Sequence, residues 1–151
     1  IARLVKDRDL NAVLVGAGHD REAARQIEAW LRLNAPAALP RLCDLTARTS
    51  LTELVGVIAR ADVVVSNDSG LMHVAAAIGT PTVGLFGPTS PWHWAPLNPL
   101  AAVIETQTDV PCRPCHKPTC RLLHHRCMRD IPAEQVLPAV RRALGRQTAP
   151  A

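Results

Sequence analysis

The sequence predicts an α/β fold with a doubly wound, mostly parallel sheet, and three observations carry that prediction. Apolar runs of strand length alternate with segments of helical spacing through most of the chain. Val63-Val64-Val65 is continuous and β-branched, as a strand covered on both faces requires, and it runs straight into the glycine turn of an alanine-rich helix. Composition agrees: 48% of the 151 residues are hydrophobic but only 3% are aromatic, so the core must come from Ala, Val, Leu and Ile. Such a core suits a buried sheet covered by helices, and the length suits one domain.

Taken in order, Ala12–Val15 is a short strand that ends in Gly16-Ala17-Gly18. Residues Asp20 to Leu33 follow helical spacing, with Ala23, Ile27, Trp30 and Leu31 on one face. Pro36 and Pro40 break that helix and fill a loop before a second short strand at Arg41–Leu45. Thr46 to Ser50 form a polar turn. A helix is predicted from Leu51 to Ala61, with Thr49 or Ser50 as its N-cap and Glu53 in its first turn. After the strand at Val63–Val65 comes the turn Ser66-Asn67-Asp68-Ser69-Gly70, then a helix from Leu71 to Ile78 closed by Gly79. Pro81–Phe86 is the next strand and ends at Gly87-Pro88-Thr89. A Pro- and Trp-rich loop leads to a strand at Ala101–Thr106, followed by a cysteine-rich segment. The last helix, Ala133–Leu144, turns Val136, Leu137 and Val140 inward, and Gln147 to Ala151 form a frayed tail.

Charge and cysteine usage narrow the classes. Seventeen Lys and Arg against thirteen Asp and Glu give a net charge of +4. That balance fits either an anionic ligand or a solvated arginine-rich surface. No block of Lys and Arg is long enough for a nucleic-acid arm, so no nucleic-acid partner is expected. No run approaches the ~18 apolar residues of a membrane span, and no basic-then-apolar leader opens the chain. The sequence starts at Ile1, without a methionine, inside a helix or linker, and reads as a piece of a longer protein. Of the five cysteines, Cys112, Cys115, Cys120 and Cys127 fall in one short segment, and Cys43 stands apart. An ordinary α/β core around them points to a reducing compartment.

The stretch VVVSNDSGLMHVAAAIG is the most informative. In a parallel sheet, ligands bind beyond the carboxyl ends of the strands, which is where the 66–70 and 87–89 loops and Gly16–Asp20 fall. Gly70 has no side chain and lets a ligand approach the backbone. The first N–H groups of the following helix have no internal partner and suit a phosphate. Ser69 adds a hydroxyl donor. His73 lies on the same side of the first turn. Asp68 has two readings: it caps the helix, or it accepts hydrogen bonds from sugar hydroxyls beside a diphosphate. The bland alternative leaves Asp68 as a cap and His73 as a satisfied, half-buried histidine.

Three motifs in order, Asp68-Ser69-Gly70…His73, Gly79-Thr80-Pro81 and Gly87-Pro88-Thr89, resemble the C-terminal domain signature of glycosyltransferase family 9, which includes the heptosyltransferases of the lipopolysaccharide inner core. The likeness extends to the loop from Val15 to Asp20 and spans roughly Val13 to Ile131. The cysteine-rich segment is most similar to the heptosyltransferase II branch. The resemblance implies a GT-B architecture of two Rossmann-like domains, of which residues 1–146 form the C-terminal, donor-binding half and 147–151 a tail, with the N-terminal acceptor domain absent. It implies ADP-heptose as donor, lipopolysaccharide inner core as acceptor, inverting transfer and no required cofactor. Asp68, Ser69, Gly70 and His73 are implied to contact the diphosphate and the heptose. Asp20 is implied to contact the ribose, at a place where the family often carries Glu. Gly87, Pro88 and Thr89 would shape the donor loop; Thr89 either reaches the donor or serves only the turn. The family's catalytic base and an assisting lysine fall outside this stretch, so no catalytic residue is assigned and the chain alone is expected to be inactive. A cytoplasmic location follows, with peripheral contact at the inner membrane as an option.

Other readings stay open at this level. Cys112-x2-Cys115-x4-Cys120-x6-Cys127 fits a structural zinc, with His116, His124 and His125 as spare ligands, or reduced thiols, or disulfides formed on isolation. Trp92 and Trp94 form either a sugar-stacking platform or loop packing. Arg141, Arg142 and Arg146 face either an anionic membrane or solvent. The alternative functions are another GT-B nucleotide-sugar enzyme, such as a UDP-sugar transferase or an epimerase, and a zinc-ordered, non-catalytic interaction module. No G-x-G-x-x-G follows the first strand, which argues against a Rossmann dehydrogenase.

Overall fold

In the computed structural model, residues 1–7 and 10–146 are described. The predicted tail, Gln147 to Ala151, and the side chain of Arg146 lie outside the described residues. The chain divides into two units, Ile1–Leu54 and Val55–Ala151.

In the first unit, α1 (Ala2–Asp7) precedes β1 (Ala12–Leu14). A single 3-10 turn at Gly18–Asp20 leads into α2 (Arg21–Asn34), and a second 3-10 stretch at Pro36–Arg41 leads into β2 (Leu42–Asp44). β1 and β2 pair in parallel, Ala12 opposite Leu42 and Leu14 opposite Asp44. The ladder continues past the strands, with Leu45 N–H donating to Leu14 O at 2.9 Å and Ala47 N–H to Gly16 O at 2.8 Å. The predicted apolar face of α2 is only partly covered. Leu31 and Ala24 are buried, whereas Ala23, Ile27 and Trp30 border an open groove beside Ile1 and Ala2.

The division falls within α3 (Leu51–Ala59). Ser50 caps this helix through a reciprocal box. Ser50 N–H donates to the Glu53 carboxylate at 2.8 Å, and Glu53 N–H donates to Ser50 Oγ at 3.3 Å.

The second unit carries a three-stranded parallel sheet in the order β3 (Val64–Asn67), β4 (Thr82–Phe86), β5 (Ala102–Glu105). Val65 faces Val83, which faces Ala102. The crossover between β3 and β4 is α4 (Gly70–Ala77), which ends at Gly79 with φ +85°, in the left-handed region that glycine adopts without strain. α5 (Pro91–Trp94) lies in the Pro- and Trp-rich loop, α6 (Arg126–Arg129) closes the cysteine-rich segment, and α7 (Ala133–Arg146) ends the described chain.

β4 is the central strand, with α4 and α7 packed on it; its Thr82, Val83 and Phe86 are almost fully buried, as are Met72 and Ala75 of α4 and Val140 of α7. Gly84 is needed here, because a Cβ would come within 2.9 Å of Met72 Sδ and 3.0 Å of the Phe86 ring. Val65 is 45% exposed. The expectation of cover on both faces therefore fails at this position. The mostly parallel α/β character holds; the strands form two sheets, where the sequence reading had one.

Candidate functional site

β3 and β4 end side by side, and Asp68 N–H extends their ladder by donating to Leu85 O at 3.3 Å. This places Asn67 and Asp68 next to Gly87, Pro88 and Thr89. Opposite them, the segment from Cys112 to Met128 folds back, and between the two lies a cavity of ≈ 630 Å³.

The fold-back has a clear cause. Arg113 reaches the strand ends, its Nε donating to Gly87 O at 2.6 Å and its Nη2 to Phe86 O at 3.1 Å, while Nη2 also forms a short pair with the Glu105 carboxylate at the end of β5. The N–H groups of Cys115 and His116 both donate to Pro88 O, at 3.0 and 2.9 Å. A loop with no regular structure is thus fixed by one side chain and two main-chain donors. Gly87 lies where α6 approaches, and a Cβ there would meet Met128 Sδ, with Met128 Cγ at 2.6 Å.

Of the residues implied to bind or shape the donor, Asp68, Gly87, Pro88 and Thr89 line this cavity, whereas Ser69, Gly70 and His73 are not among its lining residues. Thr89 Oγ1 is buried and has no hydrogen-bond partner. A buried hydroxyl without a partner loses about 1–3 kcal/mol relative to a satisfied one; Thr89 lines the cavity with other atoms, while this oxygen is turned away from solvent. Ser69 occupies the N-cap position of α4 in extended conformation, yet no side chain caps that helix. The reading of Asp68 as a cap is therefore corrected, because the chain enters the helix one residue later. Ser69 Oγ instead lies 3.0 Å from Ser66 Oγ. Asp68 Oδ1 lies 3.6 Å from His73 Nε2, an ion pair when His73 is protonated. Gly70 is the first residue of α4, and its surroundings would leave room for a Cβ. Its value is therefore in open access to the backbone and not in relief of a clash.

Asp20 belongs to the first unit. Its Oδ2 accepts from Ala17 N–H at 2.8 Å and folds the Gly16 turn. Gly16 is required there, since a Cβ would fall 2.6 Å from that oxygen. One carboxylate oxygen thus serves the turn and leaves Oδ1 for a ligand.

The basic side of the cavity was missed from sequence. Arg113, Lys117 and Arg121 line it, beside His124, which the sequence offered only as a metal ligand. The signal was the interleaving of basic residues among the cysteines, which the metal-ligand reading of that spacing obscured. The thiols themselves differ. All five are free of disulfides. Main-chain N–H groups, that of His125 foremost, aim at Cys120 and lower its thiol from the usual range. Burial raises that of Cys127, reinforced by the other three thiols and opposed by Arg113. His124 Nδ1 accepts from Arg126 N–H at 3.0 Å, so Nε2 carries the proton and turns it toward Cys112 Sγ at 3.9 Å. Among the described residues, no group of three or more His, Cys, Asp or Glu is gathered closely enough to hold a metal ion.

Residues 1–125 match the model of glycosyltransferase family 9 (heptosyltransferase). The chain belongs to this family. Among its family 9 relatives, lipopolysaccharide heptosyltransferase 2 of Escherichia coli strain K12 is 36% identical over 137 residues, which cover 91% of this chain and 38% of the relative. Lipooligosaccharide heptosyltransferase 2 of Haemophilus influenzae is 37% identical over 106 residues, covering 70% of this chain and 30% of the relative. The solved structure of E. coli ADP-heptose lipopolysaccharide heptosyltransferase II superposes with a TM-score of 0.79 at 34% identity, over 98% of this chain and 40% of that one. A family 9 glycosyltransferase from Veillonella parvula, at 24% identity and a TM-score of 0.70 over 90% of this chain, shares the fold. The chain spans well under half the length of these relatives. Its α/β organisation with parallel sheets is that of the GT-B glycosyltransferases.

Proposed function

We propose that this chain is the donor-binding part of an inverting heptosyltransferase, taking ADP-heptose and serving transfer to the lipopolysaccharide inner core. The observation that carries the proposal is the cavity at the carboxyl ends of β3 and β4, with Asp68 and Thr89 on its wall. The relatives named for heptosyl transfer support the choice of sugar.

In the reaction, an acceptor hydroxyl attacks the anomeric carbon, its proton passes to a base, and the bond from that carbon to the diphosphate oxygen breaks to release ADP. The leaving diphosphate needs positive charge that is in place beforehand. The uncapped N-terminus of α4 offers main-chain N–H groups at the positive end of an eight-residue helix. His73, when protonated, adds a charged donor. Its position 3.6 Å from Asp68 also offsets the repulsion between that carboxylate and the phosphates, leaving Asp68 free to accept from sugar hydroxyls. Asp20 Oδ1 is proposed for the ribose. No described residue is assigned as the base.

We further propose a cytoplasmic location with peripheral contact at the inner membrane. No described helix is long and apolar enough to cross a membrane. Trp92 is 90% and Leu97 95% exposed, side chains that suit a lipid interface.

Calorimetric titration tests the reading. The chain is expected to bind ADP more tightly than UDP. Asp20→Ala and His73→Ala should each weaken ADP about ten-fold, the loss of one hydrogen bond to a charged group. Asp68→Ala should weaken ADP-heptose but not ADP. A folded chain that binds neither nucleotide would exclude a donor site complete within it.

A further inference from the structure

We infer that Lys117 and Arg121 form a cationic rim that holds the anionic oxygens of a substrate at the mouth of the cavity beneath the cysteine-rich segment. The inference deepens the glycosyl-transfer reading of this cavity and rests on it.

The cations around the cavity are not equivalent. Arg113 is spent on Phe86 O, Gly87 O and Glu105. Arg126, next to the cavity, is held by Asp130 at 2.9 Å. His124 is held between Arg126 N–H and Cys112. Lys117 and Arg121 line the same cavity and have no hydrogen-bond or ion-pair partner among the described residues. Asp68 is the one carboxylate among the lining residues, and it sits beside His73. The wall is therefore positive in balance, and the two charges left over are the exposed ones.

On the strand-end side the same cavity is lined by Asn67, Leu85 and Thr89, with Asp68 the single acidic group. A ligand whose anionic oxygens reach Lys117 and Arg121 would satisfy both cations. Arg121 presents a planar fork that fits a phosphate or carboxylate through two parallel bonds, and Lys117 adds a point charge with three donors. The ligand chemistry is thus a sugar compound bearing phosphate or carboxylate oxygens. Two sources offer it: the diphosphate of the donor, or acidic groups on the acceptor oligosaccharide.

The test uses this chain, the double variant K117A/R121A and the charge-keeping K117R/R121K. Each is titrated with ADP, with adenosine and with an acidic oligosaccharide prepared from lipopolysaccharide, at low and at physiological ionic strength. Both side chains are exposed, and matching thermal melts will show that all three proteins fold alike. The inference predicts a loss of about ten-fold or more with K117A/R121A, larger at low salt because exposed charges are screened, and recovery with K117R/R121K. Adenosine should show no change.

A loss confined to ADP assigns the rim to the donor diphosphate, and a loss confined to the oligosaccharide assigns it to the acceptor. If ADP binds and responds to His73→Ala while K117A/R121A binds both anionic ligands as the parent does, the rim is overturned and the donor site stands. If ADP fails to bind but the oligosaccharide binds through Lys117 and Arg121, the donor reading falls and the rim holds. If neither ligand binds the folded chain, both are overturned.

Discussion

Phe86→Ala is expected to lower the stability of the second unit by about 3–5 kcal/mol, the range for removing a buried aromatic ring. Phe86 is fully buried at the end of the central strand, and its ring lies over Gly84 beside Met72, which is also fully buried. With 3% aromatic residues in the chain and a single Phe, no second ring is at hand to fill the gap. The strand end would then lose its packing under the two carbonyls, Phe86 O and Gly87 O, that anchor Arg113. Phe86→Leu keeps most of the volume and should cost less, under about half as much. Denaturant unfolding measures both. A loss below 1 kcal/mol for Phe86→Ala would mean that this ring is not part of the core.

The second large effect is expected at Arg113. Arg113→Ala removes a guanidinium that is 16% exposed and leaves Phe86 O, Gly87 O and Glu105 without their donor. Hydrogen bonds to a charged group are worth about 1.5–3 kcal/mol each when buried. Because Glu105 is 39% exposed, its share is discounted, and the two carbonyl bonds alone give an expected total of about 3 kcal/mol, the low end of the range for two such bonds. Arg113→Lys should recover little, since an ammonium cannot make the parallel fork. The loss should appear first as local opening. Hydrogen exchange at the Cys115 and His116 amides, both bonded to Pro88 O, should speed up before the sheet itself is affected. Retained protection there in Arg113→Ala would show that the thiol-rich segment is ordered by something else.

These two sites also mark where sequence reasoning works and where it stops. The strand at Val64–Asn67, the Ser50–Glu53 cap and the left-handed Gly79 are local features, set by residue type and by neighbours within one turn, and the periodicity of the chain exposes them. The D-S-G turn at a strand end is local in the same sense. The division of the strands into a pair and a triplet is not, because register between strands depends on packing over long separations. The cysteine-rich segment has no period to read. Its place is fixed by a side chain reaching 26 residues back to Gly87, and its basic lining becomes a site only once that fold-back is made. The role of Asp68 turned on which residue precedes α4: Ser69, not Asp68, holds the N-cap position.

The proposed nucleotide-sugar donor sits at the carboxyl ends of β3 and β4. The most direct measurement is amide chemical-shift mapping of the isotope-labelled chain as ADP-heptose is added. A donor bound there is expected to give saturable shifts at Asp68 to Met72 and at Thr89, with ADP alone reproducing those of the α4 N-terminus but not the full change at Asp68. Saturable shifts that leave Asp68 to Met72 and Thr89 untouched would contradict it and move the donor elsewhere.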